Sequence, residues 1–393
     1  MYKFLFIAFL LSFASCNSNS ERATPLEKKN AVVQQVIDSA AMRLIEKPLI
    51  NSTSIGVFYN NQEYIGHYGE LEKGMKNAPT NATIYEIGSL SKVLTGTLVS
   101  KAVLEGKLNL DDAVTKHLKE DYPNLFYNDQ PIQLKHLVTH SGGMPNILPL
   151  SLNPFLTSQF LEAETPAKID SILLLYSKEA FLEDLHALQI DTLPGANYAY
   201  SSAGTELTAH LLENVYDRPF EELLTEFLTK EVGMNETTMT LDSKDAQNLA
   251  VGYHADHPNI TLPMRKLPWG AGGSVKSTVP DMLKFIEYQL EASEIVKESH
   301  KLVQEYSEEI GLGYFWQVHS SKEEIGTHYL HHGGVPRSQC FMYIVPKYEL
   351  GIFIITNQSG KETAPKMREA VDEIIEGVAK DYNQEVMDSK LKP

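Results

Sequence analysis

The sequence predicts an α+β fold: an antiparallel sheet built from both chain ends, flanked by helices, with a mostly helical lobe inserted between them. Three observations carry this. Two short strand-like runs, 54–59 and 63–67, stand near the start of the chain. Four more, 312–319, 328–332, 339–345 and 350–356, stand near its end and are rich in Tyr, Phe, Val and Ile. The intervening stretch, roughly 107–270, is mainly helical in pattern with long irregular connections. Strands and helices of one domain pack in layers around a shared core, so the two strand sets are expected to meet in one sheet.

In chain order, the first element is a leader. Lys3 gives a positive start, and the apolar run 4–11 is too short to span a bilayer. Ala14 and Ser15 then precede Cys16, so 1–15 reads as a signal peptide. Phe13-Ala14-Ser15-Cys16 resembles the lipobox of bacterial lipoproteins, which favour Leu where Phe13 stands. The expectation is cleavage before Cys16 and its lipidation, so that an exported protein is anchored to the membrane facing the periplasm or cell exterior. An ordinary leader with an incidental Cys is the alternative.

Residues 16–31 are expected to be a tether, since 17–30 are polar without apolar periodicity. The folded domain is expected over 32–382. Val33, Val36, Ile37, Ala40 and Leu44 mark one face of a helix, and Asn60-Asn61-Gln62 suits a hairpin. A helix is predicted from Ser89 to about Glu105, closing near Gly106. Another begins near Gly204, after the Pro194-Gly195 turn. The stretch 148–190 carries little motif content. A last amphipathic helix is predicted over about 363–382, followed by a polar tail, 383–393.

Composition bounds the function. A formal net charge of -17 argues against nucleic acid as a partner, because phosphate contacts need clustered Lys and Arg. The only cysteines are Cys16 and Cys340; lipidation of the first leaves no disulfide partner, and the second sits in an apolar run as a buried, inert thiol.

Three constellations could carry chemistry. In Ser89-Leu90-Ser91-Lys92, residues three apart on a helix share a face, so the lysine amine can reach the serine hydroxyl. A serine needs a neighbour to take its proton, and a lysine can do so once desolvation lowers its pKa. The same spacing recurs at Ser389 and Lys392 in the charged tail, where disorder is expected. Around Ser89 the helix is apolar (Val93, Leu94, Leu98, Val99), and a lysine at its start needs a reason. The second constellation, Tyr200-Ser201-Ser202, puts a phenol on a loop before a helix, where it can share a proton with an ammonium. The third, His331-His332-Gly333-Gly334, ends a strand-like run; glycines there allow close approach of substrate, and strand N–H groups can stabilise an oxyanion. A metal site is not expected. His331 and His332 point to opposite faces of a strand, and His136 with His140 lack a His-Glu-x-x-His setting.

These elements, in this order, resemble the serine β-lactamase and penicillin-binding DD-peptidase superfamily, and within it the class C type. Gly106 to Asp112, His136 to Gly142, Gly233-Met234 and Gly270-Ala271-Gly272-Gly273 match as further landmarks. The resemblance runs from about residue 32 to 380. It implies a β-lactamase/transpeptidase-like fold without a cofactor. It also implies attack by Ser89 to form an acyl-enzyme and proton relay by Lys92 and Tyr200. The N–H groups of Ser89 and Gly334 would form the oxyanion hole, with Gly333 beside it. His331 would stand where many relatives carry lysine, near a substrate carboxylate.

Two departures matter. Ser202 stands where relatives have Asn, and His-His-Gly replaces Lys-Thr-Gly, removing a permanent positive charge. Arg337 reads as a surface residue rather than its substitute. The expected activity is therefore hydrolysis of a D-amino-acid peptide or amide, peptidoglycan-derived ones included, or of a small ester. The alternatives are a class C-like β-lactamase and a non-catalytic peptidoglycan-binding or sensing module.

Overall fold

Two strands from one end of the chain and six from the other make a single antiparallel sheet. The computed structural model describes residues 25–158, 162, 164–254, 259–320 and 325–390. Its sheet contains β1 (Ser52–Tyr59), β2 (Gln62–Gly69), β3 (Gln304–Glu305), β4 (Ile310–Gly313), β5 (Trp316–Ser320), β6 (Thr327–Val335), β7 (Ser338–Val345) and β8 (Leu350–Thr356). Their order is β2-β1-β8-β7-β6-β5-β4-β3. The two chain ends meet where β1 pairs with β8, Ile55 opposite Ile354. The expected α+β architecture is the one observed.

Five helices matter for the site: α1 (Pro25–Ile45), α2 (Ser91–Leu104), α3 (Ser202–Tyr216), α4 (Val279–Leu290) and α5 (Thr363–Lys390). Both faces of the sheet are covered, so its central strands are apolar on both sides. Ile55, Val57, Ile352, Ile354, Phe341 and Tyr343 pack with α1 and α5. Phe58, Met342, Ile344, Phe353 and Ile355, pointing the other way, join α2 and α4. Each such fully buried Ile or Phe contributes roughly 1.5–3 kcal/mol. The inserted lobe, between β2 and β3, adds shorter helices such as Leu134–Val138, Thr165–Leu173 and Phe220–Phe227.

The hairpin at Asn60-Asn61 forms as expected, with φ of 50° and 57°, the left-handed pair that a two-residue turn requires and Asn tolerates. The run 312–319 does not form one strand. Tyr314 and Phe315 turn the chain between β4 and β5 with φ of 52° and 70°, and both are fully buried. Burying two aromatic rings beneath α2, with Phe315 N donating to Val138 O at 2.8 Å, outweighs their extended preference.

Helix ends also differ. Residues 25–31, expected in the tether, are helical, because the run after Pro25 is rich in residues of good helix propensity, Leu, Glu, Lys and Ala. Residues 383–390, Ser389 among them, continue α5 rather than forming a disordered tail; Gln384, Glu385 and Met387 sustain it with no Gly or Pro to stop it. The leader, Cys16 and Lys392 lie outside the described residues. Among those described, no helix is long and apolar enough to cross a membrane.

Helix α2 runs through the interior, buried on nearly every side. Its closest approach is at Gly96, where a methyl group would overlap the Tyr314 carbonyl. Gly96→Ala should therefore destabilise the fold by about 1–3 kcal/mol despite alanine's better helix propensity. An unchanged denaturant midpoint would refute this packing.

Candidate active site

The turn that carries Ser89 is pinned before α2 begins. A short antiparallel pair sets Tyr85 opposite Ser277 and Glu86 opposite Lys276, and Ile87 N donates to Val275 O at 3.1 Å. Gly88 then turns with φ of 52°, and a Cβ there would stand 2.7 Å from Gly334 N. Both the dihedral and the space demand glycine. One 3₁₀ turn, Gly88–Leu90, leads into α2 and leaves Ser89 at the helix start. Ser91 Oγ fastens the turn, donating to Gly88 O at 2.7 Å and accepting from Val275 N at 3.1 Å.

Lys92 is wholly buried. Its Nζ reaches three oxygens: Ser89 Oγ at 3.2 Å, Ser202 Oγ at 3.2 Å and Gly272 O at 2.5 Å. Burial pulls the amine down to about 7, with Glu206 opposing. Tyr200 Oη donates to Ser89 Oγ at 2.7 Å, and the Lys92 nitrogen lies 4.8 Å from the Tyr200 ring centroid. Burial raises the phenol above its ordinary value, while its bond to Ser89 opposes this. Near neutral pH the phenol therefore keeps its proton and the amine can lose one. As an ammonium, Lys92 donates to all three oxygens; as an amine, it can keep two donors and offer its lone pair to the Ser89 hydroxyl.

The Tyr200 loop is carried by the segment 140–146. Ala199 N donates to His140 O at 2.7 Å, Ser201 N to His140 Nδ1 at 3.2 Å, and Ser202 N to Asn146 O at 2.7 Å. Ser201 caps α3, its Oγ accepting from Gly204 N at 2.8 Å. His140 itself has φ of 54° and lies 4.6 Å, centroid to centroid, from the Tyr200 ring. Burial, aided by Lys92 and His331, holds His140 well below the usual histidine range. His136 works elsewhere, its Nδ1 accepting from Gln133 N at the start of the helix Leu134–Val138.

The third constellation divides. His331 is buried with its Nδ1 donating to His332 O at 2.8 Å; burial and the nearby Lys92 push it down to about 3, so it is neutral at pH 7. His332 lies on the opposite face, 4.6 Å from the Phe341 ring, and His328 stacks on His319. Among the described residues, no three or more His, Cys, Asp or Glu side chains gather as a metal site. Gly333 is seated against Ile87 O and Cys340 Sγ, with no room for a side chain, whereas Gly334 borders the cavity. Arg337 is not at the surface. It is buried, donates to Ala250 O, and lies 3.5 Å from Glu86, because a guanidinium taken out of water needs an acceptor and a counter-charge.

Ser89, Tyr200, Ser202 and Gly334 share one cavity of about 130 Å³. Ile147, Leu152, Ile169, Met264 and Leu267 wall it, and no Lys, Arg or His lines it among the described residues. The stretch 148–190, unread in the sequence, thus supplies part of an apolar wall. Sequence reasoning also missed Glu206 and the part played by Gly272. The available signal was position: Glu206 lies one helical turn beyond Ser202.

The family model described as Beta-lactamase matches residues 38–376. Protein flp of Staphylococcus aureus (strain NCTC 8325 / PS 47) is 26% identical over 352 residues, which is 86% of this chain and 65% of that protein. The chain thus spans just under two thirds of that relative's length. D-alanyl-D-alanine-carboxypeptidase/endopeptidase AmpH of Escherichia coli (strain K12) is 23% identical over 359 residues, 86% of this chain and 88% of its own. A solved beta-lactamase/D-alanine carboxypeptidase from Yersinia pestis, complexed with citrate, superposes with a TM-score of 0.74 at 21% identity over 89% of this chain and 99% of its own. A class C beta-lactamase gives 0.75 at 18% identity, over 90% and 98% respectively.

A reaction that draws the proton from Ser89 onto Lys92 should rise with pH as the ammonium ionises, half-maximal near 7. The sign follows from the lowered pKa: below it the amine is occupied by its proton and cannot act as base. Lys92→Arg, which stays charged, should lose that rise and fall in rate by about 10²-fold or more. A rate independent of pH from about 5 to 9 in the wild type would remove Lys92 as the base.

Proposed function

The chain belongs to the beta-lactamase family of serine hydrolases, and on that premise we propose an enzyme that forms an acyl-enzyme through Ser89 and acts on a D-amino-acid peptide, a related amide or a small ester. One observation carries the reading: a serine hydroxyl bordering a cavity receives hydrogen bonds from both a buried lysine and a half-buried tyrosine. In the proposed step the Ser89 proton passes to the Lys92 amine as Oγ bonds to the substrate carbonyl carbon. The carbonyl oxygen takes the electron pair and rests on the N–H groups of Ser89 and Gly334. Collapse of this intermediate breaks the bond to the leaving amine or alcohol, which takes the proton by way of Lys92 and Tyr200. Water then releases the acid. Losing one oxyanion donor of this kind costs about 3 kcal/mol.

The cavity lining favours substrates whose buried part is neutral. Apolar side chains wall much of it and His331 is uncharged at pH 7, so among the described residues a carboxylate entering there meets no fixed cation in the lining. Ser202, shorter than the Asn of the resemblance, offers one hydroxyl to an acylamino group. The peptide branch of the proposal draws on the Escherichia coli relative, whose name specifies D-alanyl-D-alanine carboxypeptidase and endopeptidase action. Export and anchoring through Cys16 belong to the same proposal and rest on residues 3–16 of the sequence.

Intact-mass spectrometry after incubation with a β-lactam, and separately with an activated short-chain ester, tests the reading against Ser89→Ala. The expected result is Ser89-dependent ester turnover, with slow or absent reaction of the carboxylate-bearing β-lactam. A long-lived β-lactam adduct on Ser89 would favour the DD-peptidase branch. Rapid β-lactam loss without an adduct would favour the β-lactamase alternative. No Ser89-dependent reaction with either compound would overturn catalysis in favour of a binding module.

A further inference from the structure

We propose that Glu206 is a positioning residue for Lys92: its buried carboxylate clamps the backbone strap 269–272, holds the Gly272 carbonyl against the lysine amine, and sets that amine's affinity for its proton. The inference rests on the reading of Lys92 as the base for Ser89.

The geometry is a closed chain of contacts. Glu206 lies on α3, four residues beyond Ser202, and is 3% exposed. Its Oε2 accepts from Trp269 N at 2.6 Å and Gly270 N at 3.1 Å, and its Oε1 from Gly272 N at 2.7 Å. Gly272, whose N–H is held in this way, presents its carbonyl to Lys92 Nζ at 2.5 Å. Two turns further along α3, Glu213 Oε2 accepts from the Trp269 indole at 2.6 Å. The strap is thereby tied twice to one face of the helix whose first turn carries Ser202. Gly272 makes the fit possible, since a Cβ there would stand 3.2 Å from Glu206 Oε1 and from Ser202 Cβ.

Three N–H donors converging on two oxygens suit the ionised carboxylate, which only accepts. A protonated carboxyl would need an acceptor for its own proton, and these three neighbours supply none. The titratable groups facing Lys92 are Glu206 from α3, His140 from the 140–146 loop, His331 from β6 and Tyr200 from its own loop. The last three are uncharged near neutral pH. Burial raises the Glu206 carboxyl above its ordinary value, but its three N–H donors and Lys92 oppose that, so Glu206 is the charge that counters the desolvation of the amine.

Glu206→Gln tests the proposal, because it removes the charge and turns a donor toward at least one strap N–H. Its acid limb for Ser89-dependent turnover should move down by about one pH unit or more. Its kcat should fall roughly 10- to 10²-fold while KM changes little. An acid limb at the wild-type position would overturn the proposal, whatever happens to thermal stability. Should the Gln variant not fold, Glu206→Asp keeps the charge but retracts the clamp; a wild-type limb with reduced kcat supports the assignment, and a displaced limb or unchanged kcat overturns it. NMR titration of ε-¹³C-labelled lysine, assigned with Lys92→Met, reads the amine without turnover. If the wild type shows no Ser89-dependent reaction, the functional reading fails and this titration alone decides Glu206: a Lys92 resonance titrating at lower pH in the Gln variant supports it, and an unmoved one overturns it.

Discussion

A lysine amine wholly out of water is the constraint around which this structure is arranged. An ammonium without solvent needs acceptors for its protons, and without them it would give one up or unfold its surroundings. Lys92 finds three oxygens, each from a different part of the chain: Ser89 on the turn before α2, Ser202 at the start of α3, and Gly272 on the strap. Satisfying one buried nitrogen therefore fixes the relative position of three segments that lie far apart in the chain. The balance is partial by design of the contacts. Desolvation lowers the amine's pKa, the nearby carboxylate raises it, and the outcome lies close to neutrality, where a base is most useful.

The sheet supplies the rigidity that such an arrangement needs. Pairing of β1 with β8 closes the domain from both chain ends, and β6 then carries Gly333 against Ile87 and Gly334 beside Gly88. The glycines let strand and helix start approach at backbone distance, and α2 is held from behind by the Tyr314-Phe315 turn. The inserted lobe has the other task. It brings Tyr200 on a loop carried by the segment 140–146, and its helices from 148 onward close one side of the cavity. The cavity is thus lined from the sheet side by Gly334 and Val335 and from the lobe by Ile147, Leu152, Ile169 and Tyr200.

Legibility in the sequence followed the range of the interactions. Ser89 and Lys92 were legible as a pair because residues three apart on a helix share a face, and Tyr200 as a loop residue before one, but their roles came from the resemblance of the three constellations in order, not from spacing. The strands of the sheet were readable because burial on both faces forces runs of branched and aromatic residues. Tyr314 and Phe315 misled, since the same residue types serve a buried turn when tertiary packing outweighs extended propensity. Arg337 misled because a lone charge is by default on the surface, and only the fold reveals Glu86 and the Ala250 carbonyl waiting for it. Glu206 was obscured for a similar reason: its place one turn beyond Ser202 was visible, but on an amphipathic helix it looks like a solvated acid. Its three N–H donors come from more than sixty residues away.

The loss of a fixed cation from the third constellation then acquires a structural meaning. A histidine in place of lysine could still have carried charge if it were exposed or paired with an acid. His331 is neither; it is buried, bonded to a backbone carbonyl, and kept neutral by desolvation and by Lys92. A second cation at that depth would compete with Lys92 for the one carboxylate that faces it and depress its pKa further. Keeping the histidine neutral leaves Lys92 as the group that titrates near the working pH. Arg337 is likewise paired with Glu86, and Ile147, Leu152, Ile169, Met264 and Leu267 wall the cavity: on the reading of Lys92 as a base, added charge there would shift the protonation balance on which that role depends.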